Sequence, residues 1–185
     1  MSKWAPGYTL TELQSAQERF RVTFPPDLLD LLLERRPING YDWAGNDDRI
    51  NKMLVWPLEM LLADVDNGSW WTEWGERPQN LDERHEIVRS ALARAPRLIP
   101  VYSHRFIPET PNSADNPVFS MHGFDTVYYG ANLAEYFVNE FEGTDNLNGI
   151  AVSDYTLQDS RNLPFVPFWS DLALRCDRVI QLDDD

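Results

Sequence analysis

Apolar residues recur at helical spacing through the first ninety positions and give way to short alternating runs beyond them. Thr9-Leu10-Thr11-Glu12 has the form of a capping box, with Thr9 as the cap and Glu12 three residues into the helix. Leu10, Leu13, Ala16, Gln17 and Phe20 follow, so 10–20 reads as an amphipathic helix. Pro25-Pro26-Asp27 then starts a second helix, because proline suits a first turn and Asp suits its positive end. Leu28, Leu29, Leu31, Leu32 and Leu33 predict that this helix, 26–36, is core, with Leu29 and Leu32 or Leu33 nearly fully buried. Pro37 stops it and Asn39-Gly40 turns the chain.

Tyr41 to Asn51 is polar and turn-rich, which predicts an exposed loop. Met53-Leu54-Val55-Trp56 reads as a short strand or approach segment, and Pro57 as the start of another helix carrying Leu58, Met60, Leu61 and Leu62 inward. Asp66-Asn67-Gly68-Ser69 is a turn signal. Residues 82–95 predict a helix with Ile87, Val88, Ala91 and Leu92 on one face, closed by Pro96. Three β-rich runs follow, 98–102, 117–121 and 126–129, and His122 to Asp125 predicts a hairpin joining the last two. A helix is expected from Leu133 to about Phe141, a polar loop over 143–161 and a last short helix at 171–175. Helices lead, strands follow and nothing alternates as βαβα, which argues for an α+β fold. One domain is expected over 1–185, with loose termini at 1–8 and 180–185.

Composition supports a folded chain. The apolar fraction is 43%, and seven Trp, seven Tyr and nine Phe can build a large core. No run approaches the ~20 apolar residues that span a bilayer, and Met1 to Gly7 has no apolar stretch of the secretory kind. The single cysteine, Cys176, cannot pair within the chain and is expected to be a small buried hydrophobe in a reducing cytoplasm.

Charge changes the picture. The chain has 16 basic and 30 acidic residues, net −14. Residues 1–105 hold 13 basic and 16 acidic, net −3; residues 106–185 hold 3 and 14, net −11. From Phe106 to Ser160 there are nine acids and no Lys or Arg. Such a surface repels phosphate backbones, which argues against nucleic acid as a partner, and it attracts a basic protein. Solubility is the ordinary consequence of the same acidity.

Catalytic and metal signatures are missing. There is no GxGxxG, no Walker A motif and no GxSxG elbow. His85-Glu86 begins like a zincin helix, but Arg89 stands where the second histidine belongs. His104 and His122 can meet across neighbouring strands, where a structural role is the expected one. Asn146 to Gly149 fails as a calcium loop, because Thr144 and Tyr155 occupy the positions that need Asp and Glu. The reading is therefore of no enzyme, no cofactor and no metal. Trp70-Trp71-Thr72-Glu73-Trp74 is the most unusual local feature: core packing is its ordinary role, while the spacing leaves room for one exposed indole as an interface anchor.

The order of segments resembles the SUKH superfamily, which contains fungal cell-wall-synthesis regulators and bacterial immunity proteins. The residues that carry the resemblance are Leu10 to Phe20 as opening helix and Phe24-Pro25-Pro26-Asp27-Leu28-Leu29-Asp30-Leu31-Leu32, similar to the family's "LPxDY..FL" segment. Asn39-Gly40 stands at the family's "NGG" turn, and Pro117 to Met121 with Asp125 to Leu133 and Phe137 resembles the later strands and closing helix. Tyr41 departs from the second glycine of the turn, and the Trp70 to Trp74 cluster is not a family pattern. About 130 of the residues are covered. The resemblance implies one central, largely antiparallel sheet flanked by helices, and a binding role without catalytic residues. The leading expectation is an immunity protein that neutralises a basic toxin domain, such as a nuclease, by stoichiometric binding. A housekeeping interaction module in signalling or envelope regulation is the alternative, and an enzyme comes third. The expected binding face joins the second-half acids to the loop 42–48 and an exposed indole: Asp42, Trp43, Asp47, Asp48, Trp71 and Asp125.

Overall fold

The computed structural model describes residues 4–45, 47–137, 140, 163–174 and 179–181. The expected loop at 143–161, Cys176 and the last residues of the chain lie outside them.

β1 (Trp4–Pro6) pairs antiparallel with β2 (Arg35–Pro37), so the N-terminus, expected to be loose, is tied down from Trp4 onward. Between them lie α1 (Leu10–Phe20) and α2 (Pro26–Glu34). The capping box forms at α1: Glu12 N–H donates to Thr9 Oγ1 at 3.3 Å and Thr9 N–H to Glu12 Oε2 at 2.7 Å. The helix ends on Arg21 in the left-handed region, φ 54°. In α2 it is Leu28 and Leu32 that are buried, while Leu29 and Leu33 are only partly covered. Leu32 is thus buried as expected, while Leu28 takes the place expected of Leu29.

α3 (Asp47–Asp66) departs most from expectation. It is a single helix of 20 residues that absorbs the end of the presumed loop and the presumed strand at 53–56, with Pro57 in its interior. Pro57 removes one backbone hydrogen bond and normally breaks a helix. Here Ile50, Leu61 and Val65 are fully buried on both sides of it, and Pro57 is itself buried. Tertiary packing outweighs the local penalty.

β3 (Ser69–Trp71) follows, then a 3₁₀ turn at Thr72–Trp74 and α4 (Leu81–Leu92), capped by Asn80 on the Glu83 N–H at 3.1 Å. β4 (Leu98–Tyr102), β5 (Arg105–Pro108), β6 (Val118–Ser120) and β7 (Val127–Gly130) form an antiparallel meander in that order. The hairpin expected of the last two is present, with Val118 opposite Gly130 and Phe119 opposite Tyr128. β5 has no counterpart in the sequence reading. α5 (Leu133–Phe137), α6 (Trp169–Leu174) and β8 (Val179–Gln181), paired with β3, complete the described elements.

The fold is α+β, with six α-helices among the described residues. Among the described residues its strands are divided among three small antiparallel sheets of two, two and four strands, and the expected single central sheet is not seen. Each of the two-stranded sheets pairs three-residue strands, Trp4–Pro6 with Arg35–Pro37 and Ser69–Trp71 with Val179–Gln181.

Both faces of the four-stranded sheet are buried. Ile99, Val101, Ile107 and Val118 pack with α1, α2 and α5; Leu98, Phe106 and Phe119 pack with the end of α3, α4 and α6. Side chains alternate across a strand, so one sheet feeds two cores.

Candidate functional site

The expected face does not form as one surface. Asp42, Trp43, Asp47 and Asp48 lie before or at the start of α3. Asp125 lies beside Asp64, near the end of α3, and Trp71 follows just beyond. Seventeen residues of helix separate Asp47 from Asp64, about 26 Å at 1.5 Å per residue.

At the first end the indole is interior. Trp43 is 2% exposed and meets Phe20 and Phe24 edge-to-face, with ring centroids 5.6 and 4.8 Å away. It is a core residue, which corrects its assignment as an exposed anchor. Tyr8 is the cause. Its hydroxyl donates to the Tyr41 carbonyl at 3.0 Å and accepts from Arg36 Nη1 at 3.0 Å and from the Trp43 N–H at 3.2 Å. This group satisfies the backbone of a segment that looked solvent-bound and draws it inward. Burial raises the Tyr8 hydroxyl pKa, opposed by Arg36. Burial also pushes Tyr41 up to about 12.

Asp42 is half exposed and committed to the same knot. Its Oδ1 accepts from the Ala44 N–H at 3.2 Å and lies 3.7 Å from the Arg36 guanidinium. Asp48 is exposed, and Asp47 is the first residue of α3. Arg49 braces the preceding turn by donating to the Gly40 and Asn39 carbonyls at 3.1 and 3.3 Å. Ile38, at the tip of that turn, is 56% exposed. Tyr8, Arg36 and Arg49 are organising residues that sequence reasoning missed, because nothing in their spacing shows that they converge.

At the second end Trp71 is also interior, 5% exposed, which corrects its expected exposure. β3 pairing turns it inward, against Phe168 at 5.7 Å. Its Nε1–H is buried without an acceptor. Trp70 is buried too and donates from Nε1 to the Gly75 carbonyl at 2.8 Å. The partly exposed indole is Trp74, on the 3₁₀ turn, edge-to-face with Trp70 at 5.3 Å and Trp71 at 5.7 Å. It also packs on Phe124 at 5.5 Å, and Phe124 precedes the exposed Asp125.

The hairpin carrying Phe124 and Asp125 is fastened to α3. Asp64 Oδ2 accepts the Phe124 N–H at 2.7 Å, and Trp56 Nε1 donates to the Met121 carbonyl at 3.2 Å. Thr126 Oγ1 donates to the Gly123 carbonyl at 2.7 Å. Gly123 has φ 65°, and a Cβ there would collide with the Asp64 carboxylate, so only glycine fits this approach. Burial raises the Asp64 carboxyl; the Phe124 N–H and His122 oppose the rise and Asp125 adds to it.

The histidines are dispersed in role. His85 lies 2.6 Å from Asp66, and His122 stands edge-on to Trp56. Burial, then the Arg105 and His122 charges, lowers the His104 pKa. No group of three or more His, Cys, Asp or Glu side chains that could hold a metal lies among the described residues. A groove of about 220 Å³ between β1, α2 and α5 is lined by Trp4, Leu31, Leu133, Phe137, Asp27 and Arg35. Its one carboxylate, Asp27, already accepts the Leu28 and Asp115 N–H groups at 3.0 and 3.2 Å. No helix among the described residues is long and apolar enough to cross a membrane.

The chain matches no family model, no curated protein and no solved structure.

Proposed function

We propose that this protein works by binding another protein, as a cytoplasmic immunity protein that neutralises a basic toxin domain stoichiometrically. The SUKH-like order of segments supports the reading. One observation carries it: the acids outnumber the cations, 30 to 16. The arginines serve the fold. Arg84 donates to the Pro78 and Gln79 carbonyls at 2.6 and 3.1 Å, and Arg97 to the Arg21 carbonyl at 2.6 Å. Arg49 holds two carbonyls, and Arg105 lies 3.6 Å from the centre of the Tyr129 ring. Asp64 and Asp125 have no ion-pair partner among the described residues. Carboxylates of this kind keep their field in solvent and speed encounter with a cationic surface. They also suit the groove that a nuclease reserves for phosphate.

The test is a pull-down with the tagged protein from its native host, followed by calorimetric titration of the purified protein against the captured partner, with that partner's toxin activity followed in parallel. A 1:1 complex that abolishes activity and weakens as salt rises supports the reading. An intact toxin activity at saturating protein refutes it. A 1:1 complex with a partner that is no toxin would instead favour a housekeeping interaction module.

A further inference from the structure

We infer that a cationic side chain of the partner, Lys or Arg, seats on the Trp74 indole between the hairpin at Phe124-Asp125 and the end of α3; this rests on the protein-binding reading above. Two independent features meet there. Trp74 is the indole of its cluster that reaches solvent, and its ring is fixed by Trp70, Trp71 and Phe124 at 5.3 to 5.7 Å. An indole attracts a cation through its face, more strongly where water is partly excluded. Asp64 accepts the N–H of Phe124, the residue before Asp125, which brings the two carboxylates to one place, and neither has an ion-pair partner among the described residues.

The frame is rigid before any partner arrives. Asp64 on the Phe124 N–H, Trp56 on the Met121 carbonyl and Trp70 on the Gly75 carbonyl hold both halves of the receptor in place. Preorganised groups lose little entropy on binding. Of the nearby histidines, His85 is held by Asp66, while His122, edge-on to Trp56, lies close enough to Asp64 to act on it and flanks the cation's place. The opposite end of α3 lacks this chemistry: Trp43 is sealed in the core and Asp42 is already paired with Arg36.

The probe is a capped tetra-arginine peptide titrated at low salt into the full-length, ¹⁵N-labelled protein. The largest shifts are expected at the Trp74 indole N–H and the backbone amides of Gly75, Gly123, Phe124 and Asp125. Trp74→Ala and Asp125→Lys should each weaken peptide binding about fivefold or more, and Asp48→Lys by less than about twofold. Should Trp74→Ala fail to fold, the indole N–H shifts and caesium quenching of wild-type fluorescence decide. Caesium should reach Trp74 better than iodide does, and the difference should vanish in Asp64→Asn/Asp125→Asn. Salt-sensitive binding that centres on residues 42–48, or spreads evenly over the acidic surface, overturns this site and leaves the wider reading standing. No peptide binding by the wild-type protein at low salt overturns both.

Discussion

At the start of α3 an indole, a tyrosine hydroxyl and two arginines face inward and knot the chain. At its end the Trp74 indole and the Asp125 carboxylate reach solvent, above a buried Phe124 and a half-buried Asp64 that fasten the hairpin. Trp43 is 2% exposed and surrounded by rings, whereas Trp74 rests on three rings and still meets solvent. Asp42 is tied to Arg36, whereas Asp64 holds a backbone N–H and Asp125 holds no side-chain cation. The same residue types thus stabilise one end of the helix and remain available at the other. What separates the two ends is which polar groups the backbone needs for itself. Residues 41–43 need internal partners and find Tyr8. The hairpin is served from beneath by one oxygen of Asp64, which leaves its outer surface free.

The largest expected effect is on folding. Trp43→Ala should cost about 3–5 kcal/mol in denaturant melts, because it empties a ring-lined site. Trp74→Ala should cost well under half of that; equal losses would mean that the two indoles are both core and would end the contrast. Tyr8→Phe comes next, at about 1–3 kcal/mol, since it removes the hydroxyl that satisfies the buried Trp43 N–H and Tyr41 carbonyl. A loss below about 0.5 kcal/mol would show that water replaces the hydroxyl.

The third effect is a slope against pH. The Asp64 carboxyl titrates above its ordinary range in the folded protein, mainly through burial. The folded state therefore holds that proton more tightly than the unfolded chain does. The protonated form favours folding, and this contribution is lost as pH rises through the raised pKa. Asp64→Asn carries no such proton and keeps an acceptor for the Phe124 N–H. Between about pH 4 and about pH 7 the variant should gain stability relative to wild type, measured by paired urea melts. A variant that loses ground over that window would show that the carboxylate, not the acid, is the favoured form. The smallest effect sharpens the comparison from the other side: Asp125→Lys should leave stability within about 0.5 kcal/mol, because its exposed side chain holds nothing in place.

Part of this was legible in the chain alone. The capping box at Thr9 and Glu12, the proline start of α2, the helix read at 82–95 and found at Leu81–Leu92, and the hairpin of β6 and β7 all follow from local chemistry: side-chain caps, turn residues and period. The α+β class follows from the order of those elements. The acidic second half is likewise a property of composition, and it survives into the proposal through Asp125.

Tertiary structure decided the rest. It carried a helix through Pro57, because burial of Ile50, Leu61 and Val65 outweighs one missing hydrogen bond. It turned the polar stretch at 41–43 inward, because Tyr8, more than thirty residues earlier, supplies the hydrogen bonds that loop needs. It buried Trp43 and Trp71 and left Trp74 at the surface, although local sequence treats the three alike. Burial depends on which element arrives on the other side, and that information is not local. It also set Asp125 against Asp64 and away from Asp48, since a helix of 20 residues holds its ends apart whatever charges they carry.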